Sequence, residues 1–291
     1  CKYVGLANNH TLDRPKYFSD TTDLLEQHGI AYSGAGLSQR ASQQPWIGSI
    51  NGEQTIVFNA CWHVMLQHQQ NPSESVFVNT IKEDVTLTAV AKHRSDYPDA
   101  RIVVFPHWNF DLETLPFPLH RQWAKALIDA GANLVAGSHS HCVQGGERHK
   151  DGYILYGLGN FFIPWYTFKN GKLDFPDFAR LTVALDWKKE QECPLLHFFE
   201  YAYEDGQHEL RHLSSESFLS SPTLARYSPY DGMKEQEYVK YFQANRRKKL
   251  LVPVYKDYRS QTLNRLKDIG LIARIRLARK LAASGLRKWN N

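Results

Sequence analysis

Four short polar clusters hold the side chains best suited to chemistry, and each directly follows an apolar run. Leu6-Ala7 leads into Asn8-Asn9-His10, with Asp13 close behind, and Val104-Phe105 leads into Pro106-His107-Trp108-Asn109. Val135-Ala136-Gly137 leads into Ser138-His139-Ser140-His141, and Leu155-Tyr156-Gly157 leads into Leu158-Gly159-Asn160. Neutral imidazole is a good ligand for zinc, manganese or iron, and an Asn carbonyl oxygen can complete a mixed N/O shell. His139 and His141 are two apart, so an extended segment turns both rings to one side. Each cluster alone has a plainer reading. A lone His-x-His is more often a surface or structural pair, His107 could be a half-buried hydrogen-bonding residue, and Asn-Asn-His could be a turn. Their recurrence at successive strand ends points to one shared site, because α/β sheets bind ligands at the carboxyl ends of their strands.

The elements that must position these clusters alternate between strand and helix. A strand opens the chain, and Thr21 to Gly29 reads as a short capped helix. Trp46 to Ile50 and Gln54 to Ala60 flank Asn51-Gly52, a strong hairpin signal. Residues 80–94 carry Ile81, Val85 and Ala89 on one helical face. Arg101 to Phe105 is a strand, residues 119–130 a helix closed by Gly131, and 133–137 and 153–157 are short apolar strands. Arg180 to Trp187 and Leu195 to Tyr203 read as late strands. The class is α/β with an added hairpin.

Composition narrows the possibilities. With 42% apolar and 22% charged residues the chain can bury a core, which excludes a disordered protein. Ordinary counts of Gly (18) and Pro (13) exclude collagen-like and low-complexity classes. No apolar run approaches the roughly 18 residues of a membrane span. Cys1, Cys61, Cys142 and Cys193 are too few and scattered for a disulfide framework. The length suggests about two folding units. The chain enters an apolar strand at Tyr3, so its true beginning, with any signal or anchor, is expected to lie upstream.

The ordered motifs resemble a known family. Gly5-Leu6-Ala7-Asn8-Asn9-His10-Thr11-Leu12-Asp13 resembles the opening signature of bacterial capsule synthesis proteins of the CapA, poly-γ-glutamate type. These are similar to calcineurin-like metallophosphoesterases. The resemblance continues through residues 30–36, His107-Trp108, residues 126–135, Gly137 to Gly145 and Tyr156 to Phe161, so it spans roughly residues 1–200. It implies a four-layer α/β/β/α sandwich with a metal site on one edge, incomplete at its N-terminus. It also implies that Asn9, His107, His139 and His141 ligate metal. His10 would assist a leaving oxygen, and Asp13 would orient His10. Asn8, Trp108 and Asn160 would line the substrate pocket. The cofactor implied is divalent manganese, zinc or iron, dinuclear in the complete protein.

Two departures stand out. The family's earlier acidic motifs, a Gly-Asp strand end and an Asn-Leu-Glu segment, have no counterpart before Leu6. Ser138 and Asn109 stand where the family often has His and Gly, and Asn109 is expected to reshape the pocket floor. Other motifs are weaker. Gly34-Ala35-Gly36 fails as a dinucleotide loop because position 39 is Gln39. Cys61-Trp62-His63 and Cys142 read as packing.

Charge is unevenly spread. Residues 240–291 hold 15 Lys/Arg against Asp257 and Asp268, so a basic C-terminal part follows a net acidic body. Arg246-Arg247-Lys248-Lys249 is a compact cluster. In residues 260–283, Leu263, Leu266, Ile269, Ile272 and Ile275 recur at steps of three among Arg265, Lys267, Arg274, Arg276, Arg279 and Lys280. Such a helix can lie on an anionic membrane surface or grip a polyanion, or can dock on the acidic body with its charges solvated. No nucleic-acid motif accompanies the charge. The expected organisation is a catalytic domain over 1–204, an irregular connector over 205–234 and a basic amphipathic helical tail over 235–291. The expected function is metal-dependent hydrolysis in the making or processing of a capsule or other surface polymer, with an anionic polymer or a phosphorylated compound as substrate. The rivals are a general phosphatase or phosphodiesterase and a non-catalytic, polymer-binding assembly factor. The resemblance implies the cell envelope or extracellular face, with the cytoplasm as the alternative.

Overall fold

The computed structural model describes residues 1–66, 75–167, 173–247 and 252–283. Lys248 and Lys249 of the basic cluster lie outside the described residues, as does the Arg279 side chain. The strands are β1 (Tyr3–Gly5), β2 (Ala31–Ser33), β3 (Ala35–Gly36), β4 (Trp46–Ile50), β5 (Glu53–Cys61), β6 (Phe77–Val78), β7 (Arg101–His107), β8 (Leu134–Ala136), β9 (Gly146–His149), β10 (Gly152–Leu155), β11 (Leu181–Asp186), β12 (Leu195–Glu204) and β13 (Gln207–Ser217). The helices are α1 (Phe18–Gln27), α2 (Gln39–Gln43), α3 (His63–Leu66), α4 (Glu83–Asp96), α5 (Pro118–Asp129), α6 (Pro222–Tyr227), α7 (Glu235–Asn245) and α8 (Gln261–Ala283).

The central sheet runs β4-β5-β7-β8-β10-β9, parallel across β5, β7, β8 and β10, with antiparallel strands at both edges. Asn51 and Gly52 both take positive φ (51° and 80°), which closes the β4–β5 hairpin as these two residue types favour. One face of the sheet presents Ile56, Phe58, Ile102, Val104, Val135 and Ile154 to Val90 of α4 and to Trp123, Ala124, Leu127 and Ile128 of α5. Leu134, Ala136, Tyr153 and Leu155 turn the other way and pack on Val183, Leu196 and Phe198 of the antiparallel β11-β12-β13 sheet. The parallel pair β1–β2, joined through α1, lies on this second face too, where Gly5 meets the side chain of Asn59 on β5. The layers therefore read α/β/β/α.

Two boundaries differ from expectation. Residues 205–234 are not an irregular connector. β13 pairs with β12 from Gln207 to Ser217, and α6 follows. Polar residues on a half-exposed edge strand hid its alternation. Residues 235–281 are not an appended tail either. Tyr238, Phe242, Tyr255, Tyr258 and Leu271 are buried in the main core. Arg121, fully buried on α5, ties the start of this segment down: it forks onto Glu147 at 2.7 and 2.5 Å, donates to the Met233 carbonyl at 2.9 Å and reaches Glu235 Oε1 at 3.2 Å. Buried aromatic side chains, Tyr238 and Phe242 on one face of α7 and Tyr255 and Tyr258 in the chain before α8, rather than the conspicuous charges, decide where this segment goes.

Candidate metal centre

The first site loop is placed by one buried amide. Asn59 on β5 accepts a hydrogen bond from the Ala7 N–H at 2.7 Å and donates to the Phe105 carbonyl at 2.6 Å, so it clamps the end of β1 to β7. Gly34, at φ +92°, lets the backbone pass close by, because a Cβ there would come within 2.3 Å of Asn59 Oδ1. Beyond Ala7 the chain turns. The Asn8 side chain accepts from the His10 N–H at 2.8 Å, and Asp13 Oδ2 accepts from His10 Nδ1 at 2.8 Å. Asn9 Oδ1 accepts from His107 Nε2 at 2.7 Å, while its amide nitrogen lies 3.3 Å from His10 Nε2.

The later loops meet this one at the ends of β7, β8 and β10. His107 and His139 have ring centroids 4.6 Å apart, and His139 and His141 are 6.1 Å apart. His141 Nδ1 donates to Asn160 Oδ1 at 2.6 Å, which orients its other nitrogen. Both His139 and His141 take positive φ (91° and 58°), so the extended segment expected from their spacing is instead a tight left-handed turn. The two rings are still brought to one side. Gly137 permits the approach of neighbouring chain: a Cβ there would lie 2.1 Å from the Tyr156 carbonyl and 2.3 Å from Trp108 Nε1.

One site residue escaped sequence reasoning. Asp111 reaches His139 Nε2 at 3.2 Å and His141 Nε2 at 3.9 Å. It comes from the loop after β7, where Asn109 and Leu112 turn at positive φ and the Leu112 N–H donates to the Ser140 carbonyl at 2.8 Å. The available signal was an acidic residue four positions after His107 in a segment rich in turn formers.

Trp108 is not a pocket residue. Strand alternation sends His107 to the site and Trp108 into the core, where it is fully buried, donates to the Tyr156 carbonyl at 2.8 Å and stacks on His120. Asn109 does not line the pocket floor. It is buried and accepts from Phe117 N–H at 3.0 Å and His120 Nδ1 at 2.8 Å. Cys61 and Cys142 are buried, and burial pushes both thiols up, Cys142 to about 12, so neither is a ready nucleophile. His63 pairs with Asp268 at 2.8 Å. An open pocket of about 480 Å³ adjoins His10 and includes Asn8, Asp13, Arg14 and Tyr17. A larger hollow of about 710 Å³ lies between α5 and α7, lined by none of the site histidines.

The donor set fits a divalent cation. Among the described residues, Asp111, His139 and His141 offer ligand atoms that all lie within 4.8 Å of one another. Burial first, then the neighbouring His139, His141 and His10, push His107 down to about 2, so its imidazole is neutral and able to donate a lone pair. Imidazole nitrogens with one carboxylate and the Asn9 amide oxygen make the mixed N/O environment that suits manganese, zinc or iron.

Comparison with known proteins gives the lineage. The family model for the bacterial capsule synthesis protein PGA_cap matches residues 1–164. The capsule biosynthesis protein CapA of Bacillus anthracis is 29% identical over 163 residues, which is 54% of this chain and 39% of that protein. The PGA biosynthesis protein CapA of Bacillus subtilis is 28% identical over 168 residues, 54% of this chain and 41% of that protein. The matched region thus spans about two fifths of each relative. Among solved structures, the Thermus thermophilus sulfate thiohydrolase SoxB is 14% identical with a TM-score of 0.35, over 73% of this chain and 34% of that one. Haemophilus influenzae NAD nucleotidase is 10% identical with a TM-score of 0.31, over 73% and 38% respectively. With the motifs of its strand ends inside the matched region, this chain belongs to the PGA_cap family of bacterial capsule synthesis proteins.

Proposed function

We propose that this protein acts in the production or processing of a bacterial surface polymer as a metal-dependent hydrolase. The observation that carries the reading is the convergence of Asn9, His107, Asp111, His139 and His141 from separate strand ends onto one small space. The names of the relatives support the polymer, and the donor set supports the cation.

Asp111, His139 and His141 would hold the cation, with His107 and Asn9 beside them. A bound divalent ion supplies Lewis-acid polarisation of the scissile group and lowers the pKa of water. His10 stands at the mouth of the site with its Nδ1–H held by Asp13, so that Nε2, when the ring is protonated, would pass its proton to the departing oxygen or nitrogen. Asn160 keeps His141 turned toward its partners. The open pocket beside His10, with Arg14 in its wall, would receive an anionic group of the substrate. The bond cleaved is a phosphoester or an amide or other linkage of an acidic polymer.

The test loads the protein with manganese, zinc or iron and measures bound metal together with hydrolysis of bis-p-nitrophenyl phosphate and shortening of poly-γ-glutamate. His139→Gly removes the imidazole without straining the positive-φ backbone. The expected result is about one metal per chain, turnover of at least one substrate, and loss of both in His139→Gly. Stoichiometric metal binding that survives His139→Gly overturns the assignment of the site. Metal binding without turnover of either substrate overturns the hydrolase and leaves a polymer-binding assembly role.

A further inference from the structure

Helix α8 is docked by one side only. Asn264, Asp268 and Leu271 are buried and Ile275 half-buried, at spacings that form a single helical face. Asp268 anchors that face by accepting from Tyr255 OH at 2.7 Å and pairing with His63 at 2.8 Å, and the Asn264 amide donates to the Asp257 carbonyl at 2.7 Å. The opposite face carries a second apolar stripe. Leu263, Leu266, Ile269 and Leu277 are 51, 62, 59 and 58% exposed. At 100° per residue they fall within about 120° of arc, with exposed Gly270 and Ala273 between them.

Charge decides what this stripe fits. Arg265 and Arg276 run along one margin and Arg274 along the other, with Lys280 at the C-terminal end of the stripe, all exposed. Asp268 is the sole acidic residue of α8, and it faces the core. An apolar stripe with cationic margins and no exposed carboxylate complements an anionic lipid surface: the stripe enters the acyl boundary while the cations meet phosphate. No described helix is long and apolar enough to cross a membrane, so the arrangement suits a helix lying in the surface plane. Two copies packed stripe to stripe would bring like charges together.

We propose that the outer face of α8 is an interfacial anchor that seats the protein on an anionic phospholipid surface. The anchor is independent of the metal site. The test floats the full chain with vesicles of phosphatidylcholine alone or of equal parts phosphatidylcholine and phosphatidylglycerol. The wild type is expected to float only with the phosphatidylglycerol vesicles, less so as salt is raised. Leu266→Ser/Ile269→Ser is expected to bind at least about tenfold more weakly with an unchanged melting curve, because both residues face solvent. Arg265→Glu/Lys280→Glu, which leaves the stripe intact, is expected to lose the preference for phosphatidylglycerol. Absence of flotation, or equal flotation by either double variant, overturns the proposal. A wild-type dimer that Leu266→Ser/Ile269→Ser converts to monomer, with no vesicle binding, assigns the stripe to a second copy and overturns it as well.

Discussion

His107 and His120 lie near the same strand end, are both kept neutral by burial, and serve opposite purposes. Burial pushes His107 down to about 2 and His120 to about 3. His120 sits behind the strand, stacked on Trp108 at 4.9 Å and edge-on to Trp62 at 5.0 Å, with its Nδ1 donating to Asn109. His107 sits in front, and its neighbours are Asn9, Ser138 and His139, all side chains with lone pairs. A buried neutral histidine is therefore not in itself a sign of function. Aromatic company marks one as a packing residue, and a ring of other donors marks one as a candidate ligand.

Replacing residues on the two sides should separate stability from metal binding. Trp108→Ala, behind the strand, is expected to cost about 3–5 kcal/mol in urea unfolding while the folded fraction keeps its metal. His139→Gly, in front, is expected to lower metal affinity by about 100-fold or more, read by calorimetry, with no loss of stability in unfolding, because it relieves the positive-φ backbone. Asp111→Asn should weaken metal binding by about tenfold to 100-fold, because it keeps one oxygen but loses the charge. If it has no effect, the carboxylate is an exposed bystander.

A pH series sharpens the contrast further. The unfolded His120 takes up a proton near pH 6.5, and the folded one does so only near pH 3. Between these values the unfolded chain binds the extra proton. The contribution of His120 is therefore intact above pH 6.5 and is lost as pH falls, at about 1.4 kcal/mol per unit. His120→Phe should flatten the stability profile below pH 6.5 by that amount. The smallest effect is expected from Asp13→Asn. His10 and Asp13 are 70% and 56% exposed, so solvent screens the pair, and turnover should fall about fivefold or less with metal content unchanged.

Much of this was legible in the sequence, for reasons that also account for what was not. The hairpin at Asn51-Gly52, the strand-end clusters and the helix over residues 261–283 follow from local chemistry, and the family motifs set their order. The gathering of the histidine loops was legible because a histidine that directly follows an apolar run stands at a strand end, where α/β sheets gather their binding groups. Asp111 was not, because its position depends on two left-handed residues and a hydrogen bond to Ser140 rather than on any spacing. Trp108 was misplaced because adjacency to His107 in the chain means opposition across a strand. The C-terminal region was misread because charge is conspicuous in a sequence, whereas Tyr238, Phe242 and Tyr255 reveal their burial only once the aromatic cluster around Trp62 and Phe117 is assembled.

The backbone at 139 and 141 has a consequence for any attempt to improve this protein. Glycine or asparagine rests easily where these histidines are held, each at a cost of roughly 1–3 kcal/mol. A library screened for heat resistance alone will drift toward those replacements and discard the imidazoles on the way. Selection for ruggedness and selection for the proposed metal site will therefore pull the same two codons apart.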